Sequence, residues 1–258
     1  MENYNIFDSH THINSREFDN DIPDVIERAK ALDVTQMLVI SYDKESTEKM
    51  LALTAKYPQV YGGFGCHPEN AASYDKDFEA YLTDVLKNDK VKALGEIGLD
   101  YHCDTDKKVQ WDVLEKQIEL AKKMQLPISI HDRDALEDCY ALLKNARIKE
   151  IGGIMHSFNG DRKWAEKFLE LGFELSYSGV VTFGNAKEVA DSAIHTPLEH
   201  LLVETDAPYL TPMPFRGKLN EPAMTRYTLE FIAKKRGLAA KELAKITTEN
   251  AKRVLKIK

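Results

Sequence analysis

Apolar positions along this chain alternate between two patterns. Short runs rich in Ile, Val, Leu and Phe predict buried strands, and longer stretches with apolar residues about every 3.6 positions predict amphipathic helices. The predicted strands are residues 5–10, 36–41, 60–65, 91–98, 126–131, 152–156, 173–178 and 200–205. Predicted helices between them include residues 24–32, 44–57, 77–88 and 108–124.

Strand–helix units that repeat with short connections predict a parallel sheet, because each helical crossover returns the chain to the same end of the sheet. Eight such units close into a barrel in a domain of about 250 residues, and this chain has 258. We therefore predict an α/β fold, a single TIM-like (β/α)8 barrel, with distortion from ideal closure allowed, as one domain over residues 1–258. The alternative is a doubly wound open sheet.

Composition narrows the class of protein. The chain contains no run of 18 apolar residues, so we predict no membrane span. The opening "MENYNIF" lacks the basic-then-apolar order of a secretory signal. Three cysteines without a C-x-x-C motif are typical of a reducing compartment, so we predict a cytoplasmic protein. The net charge of -7 argues against broad electrostatic binding of nucleic acid, although bound metals would supply local positive charge.

Histidines collect where the predicted strands end. Six of the eight lie at or just past carboxyl ends of strands, the face where barrel enzymes build their sites: His10, His12, His67, His102, His131 and His156. His10 and His12 are two residues apart in a strand, so their side chains point to the same face. We interpret the other two, His195 and His200, as solvated or capping residues.

Two carboxylates join this set, Glu96 in "LGEIGLD" and Asp206 in "LLVETDAPYL". Together with four histidines they are too many ligands for one tetrahedral ion and suit two metals, with Glu96 as the bridge. Asp206 can bind a metal and also take a proton from the attacking water. The predicted chemistry is metal-assisted hydrolysis, with Glu96 and Asp206 catalytic, and with His10, His12, Glu96, His131, His156 and Asp206 as ligands of two divalent ions.

Other residues receive weaker interpretations. Cations that could contact a phosphate are Arg133, Arg162, Arg216 and Lys218, because guanidinium groups match phosphate oxygens. Tyr101 and Phe158 could stack on bases of single-stranded DNA, although such aromatics more often pack in a core. Asp8 and Glu204 either orient the ligands from beneath or are hydrogen-bonded interior carboxylates.

The ordered motifs "IFDSHTHIN", "GCHPEN", "GEIGLDYH", "LPISIHDRDA", "GIMHSFNGD" and "LLVETDAPYLTP" resemble those of the TatD family of metal-dependent deoxyribonucleases. The closing "TTENAKRVLKI" resembles that family's last helix, so the resemblance covers residues 5 to 256. It implies a TIM-like barrel that hydrolyses DNA phosphodiesters, often as a 3′-5′ exonuclease with magnesium or a similar ion. It also implies that the six ligands match the family's positions and that His67 and Arg216 lie close to the substrate.

Two positions depart from the family's pattern. Phe215 stands where His is common, and Cys103 where Trp is common; both lie near the predicted mouth and bear on substrate preference. The donor set leaves the metal open, since histidines suit zinc or manganese and magnesium prefers oxygen ligands. The predicted partner is DNA, single-stranded or at its 3′ ends, with a monomer as the default state.

Other functions stay open at this point. One is an amidohydrolase acting on an amide, lactone or other small ester. Many such binuclear enzymes bridge their metals with a carbamylated lysine, whereas Lys92 lies near the start of the fourth predicted strand. Hydrolysis of an ester on tRNA is a related option. A non-catalytic nucleic-acid binding module would show a basic stripe, which a chain of net charge -7 does not favour.

Overall fold

The computed structural model describes residues 4–258, in which eight parallel strands form one sheet in chain order. This arrangement, with a helix after each strand, confirms the predicted α/β class and the TIM-like barrel. The strands are β1 Ile6–Thr11, β2 Val34–Ser41, β3 Val60–Phe64, β4 Val91–Asp100, β5 Ile128–Arg133, β6 Gly153–Met155, β7 Phe173–Tyr177 and β8 Leu201–Val203.

Helices cover the outside of the sheet. They are α1 Ile22–Ala31, α2 Lys44–Lys56, α3 Lys76–Val85, α4 Lys107–Met124, α5 Leu136–Asn145, α6 Arg162–Glu170, α7 Lys187–His195, α8 Thr225–Arg236 and α9 Ala240–Val254. Four of them begin at an aspartate whose carboxylate accepts backbone N–H groups of the first turn, which fixes where each helix starts: Asp43, Asp75, Asp106 and Asp161. None of the helices in residues 4–258 combines the length and apolarity that crossing a bilayer requires.

Strands β4 and β5 run further than the sequence predicts. They stay paired from Gly98 and His131 to Asp100 and Arg133. Gly98 makes this approach possible, because its φ is +151° and a side chain there would overlap the His131 carbonyl oxygen. As a result Glu96 lies within β4 and His131 within β5, rather than at the ends of these strands.

The first and last strands meet at their carboxyl ends. The Asp206 N–H donates to the His10 carbonyl at 2.9 Å, and the His12 N–H donates to the Ala207 carbonyl at 2.8 Å. Thr205 adds side-chain and backbone bonds to the Asp8 carboxylate, at 2.6 and 2.9 Å. We call this contact between residues 8–12 and 205–207 the seam, and it lies among the predicted site residues.

Helix α9 covers the opposite, amino end of the sheet. A smaller apolar cluster joins it to five strands through Phe7, Leu38, Ile40, Ala93, Ile154, Leu202, Ala251 and Leu255. The buried Asn250 amide donates to the Leu198 and Leu201 carbonyls, which fixes α9 beside the start of β8. The carboxyl end of the barrel therefore stays open while the amino end is filled.

Candidate metal centre

His10 and His12 bring two ring nitrogens together at the end of β1. Their Nε2 atoms lie 3.1 Å apart, and both rings are buried. The Nδ1 of His12 is 3.1 Å from the Ile40 carbonyl, which can only accept, so Nδ1 carries a proton and, in the neutral ring, Nε2 keeps the lone pair that can bind a cation. Two nitrogens about 2.0–2.1 Å from one ion would be separated by a distance of this size.

Asp206 completes a first group of donors. Its Oδ1 lies 3.5 Å from His12 Nε2 and 3.8 Å from His10 Nε2. The residue follows β8 by three positions and has a φ of +56°, a conformation that side chains other than glycine adopt at a local cost. The hydrogen bonds of the seam hold this turn, so the carboxylate is fixed in front of the two imidazoles.

Glu96 lies between two sets of histidines, and its two oxygens face different sets. Oε2 is 3.4 Å from His10 Nε2 and 3.6 Å from His12 Nε2. Oε1 is 2.8 Å from His131 Nδ1, 3.0 Å from His156 Nε2 and 3.6 Å from His67 Nε2. A carboxylate with one oxygen toward each of two donor groups has the geometry of a bridge between two ions.

Two further carboxylates hold the histidines of the second set. Glu204, fully buried beneath the site, accepts from His156 Nδ1 at 2.9 Å and from the Ser157 N–H at 2.7 Å. Asp100 lies 3.1 Å from His131 Nε2. Such partners fix the orientation and tautomer of a ligating imidazole. Asp8 instead binds Thr205 and the His10 N–H, so it supports the seam rather than a ring nitrogen.

Burial and the facing charges set the pKa values in the metal-free site. Burial raises the pKa of Glu96, but the neighbouring histidines His156, His67 and His10 lower it well below its usual range. The pKa of Asp206 is lowered in the same way, by hydrogen bonding to His12 and by nearby imidazoles that outweigh burial. Both carboxylates are therefore ionised at neutral pH, the form that binds a cation.

The histidine pKa values move in opposite directions. Burial lowers the pKa of His10 below its ordinary value. Burial also opposes the charge of His131, but its bonds to Asp100 and Glu96 raise its pKa to about 9. His156 is raised well above its ordinary pKa by Glu96 and Glu204, again against burial. Without metal, protons occupy part of the space between these donors, and metal binding releases them.

The donor set fits divalent ions. Three groups of His, Asp and Glu side chains have ligand atoms close enough to share an ion: His10, Glu96 and His156; His10, His12 and Asp206; and His67, Glu96 and His131. The facing Nε2 atoms of His10 and His12 can share one proton in an N–H···N hydrogen bond, and a metal ion between them can replace that proton and bind both nitrogens. The structure thus brings together all six predicted ligands, and adds His67 to them.

A cavity of about 530 Å³ opens over these donors. Besides five of the six predicted ligands, it is lined by Tyr42, Asp43, His67, Glu69, Asn70, Asp100, Arg133 and Tyr209. Of the predicted substrate contacts, His67 and Arg133 lie at this cavity. Arg216 does not line it; its guanidinium is exposed and lies 4.3 Å from the centre of the Phe183 ring.

Phe158 packs in the core, the more common role of such an aromatic, and does not line the cavity where it could stack on a base. Ser157 turns the chain with a φ of +40°, and Phe158 is buried in edge-to-face contact with Phe168 and Tyr177. Tyr101 does not line the cavity either, since its hydroxyl donates to Asp138 and accepts from Trp111. The positions of these aromatic residues in the sequence do not predict the direction in which the chain turns after each strand.

Of the two residues that depart from the family's pattern, Cys103 is hydrogen-bonded to Asp100 at the centre, whereas Phe215 packs in the loop after β8. The Phe215 ring packs on Tyr227 in the loop after β8. The Cys103 N–H donates to Asp100 Oδ1 at 3.2 Å, so this position is linked to His131 through Asp100. The sequence motif "GEIGLDYH" contains Asp100, but sequence reasoning missed its role because the pairing with His131 depends on the extended β4 and β5.

Comparison with known proteins covers the same strands and loops. The chain matches the sequence model of a family described as TatD related DNase over residues 7–256. It is 42% identical over 253 residues to the uncharacterized metal-dependent hydrolase YabD of Bacillus subtilis strain 168, covering 98% of this chain and 99% of that protein. It is 38% identical over 257 residues to the uncharacterized metal-dependent hydrolase YcfH of Escherichia coli K12, covering 98% and 96% of the two chains.

A solved structure has the same fold. The crystal structure of YjjV, a TatD homologue from Escherichia coli K12, superposes with a TM-score of 0.92 at 28% identity and covers 98% of each chain. The similarity therefore includes every strand that carries a donor of the centre.

Proposed function

We propose that this chain, which belongs to the family of TatD-related DNases, hydrolyses phosphodiester bonds in DNA with two divalent metal ions. The chain is a metal-dependent hydrolase of that family. The observation that carries the proposal is the Glu96 carboxylate, whose two oxygens face separate donor groups at the open end of the barrel.

We assign His10, His12 and Asp206 to one ion and His131 and His156 to the other, with Glu96 between them. His67 lies within reach of the second ion or of the substrate. When bound, such ions polarise the phosphodiester, lower the pKa of the attacking water and neutralise the leaving oxygen. The candidates are magnesium, manganese and zinc.

The remaining steps belong to the protein's own side chains. Asp206 has the more accessible of the two ligand carboxylates, with 15% of its side chain exposed against 5% for Glu96. Because its lowered pKa keeps it ionised, it can accept the proton of the attacking water. Glu96 holds its position between the imidazoles, and Glu204 and Asp100 keep His156 and His131 in place.

Substrate binding needs positive charge, which a chain of net charge -7 does not supply broadly. Arg133 at the cavity wall would contact a phosphate oxygen beside the ions. We keep Arg216 as a contact for DNA beyond the cavity, since its exposed guanidinium lies in the loop after β8. We further propose that the substrate is single-stranded DNA or a DNA 3′ end. We also propose that the protein is a monomer and is cytoplasmic.

The test is hydrolysis of 3′-labelled single-stranded DNA by metal-stripped protein, with magnesium, manganese or zinc added back. We expect metal-dependent release of mononucleotides, and its loss in a His10→Ala/His12→Ala variant. A His195→Ala/His200→Ala variant is the matched control, because it removes two histidines far from the centre. Failure of every metal to support cleavage, in protein that still binds two ions, would favour a small-molecule hydrolase.

A further inference from the structure

The loop after β8 concentrates exposed apolar surface beside the metal centre. Within residues 4–258, the large apolar side chains with strong exposure are Tyr209 at 59%, Met213 at 48% and Leu219 at 54%, all in this loop. Single exposed apolar residues are ordinary, but a group in one loop marks a contact surface. Of the three, only Tyr209 lines the cavity over the metal centre.

Tyr209 is held in place by its backbone. Its N–H donates to the Asp206 carbonyl at 2.9 Å, which ties it to a proposed metal ligand three residues earlier. The fully buried Asn220 amide donates to the carbonyls of Tyr209 and Thr205. The loop is therefore braced while the aromatic ring stays open to solvent, which is the state of a stacking platform.

A second cavity of about 260 Å³ adjoins the first at this ring. Tyr42, Asp43 and Tyr209 line both cavities. The half-buried Tyr42 ring lies edge-on to the His12 ring, with centroids 5.7 Å apart. The two tyrosines thus stand at the boundary between the metal centre and the second cavity.

The charges of the second cavity do not suit a phosphate. It is lined by three carboxylates, those of Glu17, Asp43 and Glu45, and by two cations, Arg16 and Lys49. Arg16 is paired with Glu45 at 2.9 Å, and Lys49 with Asp19 at 2.6 Å. With its cations already paired, the cavity favours a neutral group that donates hydrogen bonds to oxygen atoms.

A buried amide behind the cavity wall has one oxygen without a hydrogen-bonding partner. Asn14 is 1% exposed and lines the cavity, and its Nδ2 donates to the Ile40 and Ser46 carbonyls at 3.0 Å each. These two carbonyls fix the orientation of the amide, because only its nitrogen can donate to them. Its Oδ1 has no hydrogen-bonding partner among residues 4–258, and neither has the Ser15 hydroxyl beside it.

We propose that the second cavity holds the base of the nucleotide next to the scissile phosphodiester. The base stacks on Tyr209, and its N–H edge faces the acceptor oxygens of the wall. A base is planar and neutral and carries at least one N–H donor, which matches the exposed Tyr209 ring, the paired cations and the carboxylate oxygens of Glu17 and Asp43 in the cavity wall. This inference rests on the proposed function, since it names where one base of that substrate lies.

The experiment compares two single-stranded oligonucleotides that differ only at the nucleotide beside the cleaved bond. One carries the normal nucleotide, and the other carries a tetrahydrofuran abasic residue with the same backbone. We expect the wild-type protein to cleave the normal substrate with about 10-fold or higher kcat/KM. In Tyr209→Ala this preference should fall to about 1, mainly through KM, while Tyr209→Phe and the same-loop control Met213→Ala keep it.

A binding measurement separates this proposal from the proposed function. We expect metal-stripped protein in EDTA to quench the fluorescence of 2-aminopurine deoxyribonucleoside monophosphate, and Tyr209→Ala to lose that quenching. Glu96→Gln should retain it although it lacks hydrolysis. If the wild-type protein cleaves neither oligonucleotide but still quenches the probe, the proposed function fails alone. A preference for the normal nucleotide that survives Tyr209→Ala, or quenching that survives it, overturns the base site.

Discussion

The two ends of the barrel each carry a buried glutamate next to a histidine, but the two clusters differ in which groups face one another. At the amino end, Glu174 has Arg253 3.0 Å from one oxygen and His200 3.3 Å from the other. At the carboxyl end, the Nε2 atoms of His10 and His12 face each other. The first cluster sets one carboxylate against Arg253 and His200. In the second, both Nε2 atoms lie within 3.8 Å of the carboxylate oxygens of Glu96 and Asp206, so four ligand atoms surround one space that a divalent cation can fill. The convergence of several ligand atoms on one space, rather than the residue types alone, distinguishes a metal site from a structural ion pair.

The largest expected effect is the difference in hydrolysis between glutamate-to-glutamine substitutions at the two ends. Glu96→Gln removes the charge that both donor groups share, so we expect hydrolysis to fall by at least about 100-fold, because ions contribute several kcal/mol to catalysis. Glu174→Gln changes only the cluster at the amino end, beside Arg253 and His200, and should leave hydrolysis unchanged. Steady-state kinetics with each metal measures both. Equal losses in the two variants would show that the contrast between the ends is not functional.

Metal should stabilise one end of the barrel more than the other. At a metal concentration of about 100 times Kd, binding contributes about 2.7 kcal/mol to the free energy of unfolding and raises Tm by about 5–10 °C. Thermal unfolding followed by circular dichroism measures the shift. Hydrogen exchange should slow at the amides of His12 and Asp206 in the seam and less at Phe7, whose N–H donates to Thr248. Uniform slowing at both ends would contradict a local effect.

Glu204 tests the support beneath the donors. Glu204→Gln keeps the shape of the side chain but removes the charge that holds His156, so we expect metal affinity to fall by about 10- to 100-fold. Competition with a chromogenic chelator measures this affinity, and the circular dichroism spectrum checks the fold. An unchanged affinity would mean that Glu204 is only an interior carboxylate.

The smallest effect is expected at the amino end. Burial raises the pKa of Glu174, which Arg253 partly opposes, so ionising this carboxyl costs stability as the pH rises. Arg253→Ala increases that cost, and since the arginine is half-exposed we expect a loss of about 1 kcal/mol at pH 7. The loss should shrink at acidic pH, where Glu174 is protonated. Urea unfolding at several pH values measures it, and a loss that grows toward acidic pH would be the wrong sign.

The fold and most of the metal centre could be predicted from the sequence, because both depend on patterns between residues that are close along the chain. Apolar periodicity identified all eight strands, and the position of a histidine relative to a strand's end indicated the face to which it belongs. His131 shows the limit of this reasoning: its contact with Asp100 depends on how far β4 and β5 remain paired, which Gly98 decides through a close approach of two backbones.

Aromatic residues were the least predictable part. Phe158 and Tyr209 both follow a strand within a few residues, but a positive φ at Ser157 turns the first into the core, and the Asn220 bonds leave the second exposed. Both outcomes depend on contacts with residues distant in the sequence. Hydrophobic patterning records the average environment of a residue and carries no information on such turns.

The seam also determines when the first donor group can form during translation. His12 is synthesised early, and Asp206, which faces it across the seam, follows about 190 residues later. At 5–20 residues per second, the ribosome needs about 10–40 s to supply the second half of this contact. Throughout that interval the nascent chain carries several histidines of the centre without the carboxylate that completes the first donor group. The first donor group therefore forms only once the last strand arrives, so a truncated chain would hold its ions weakly.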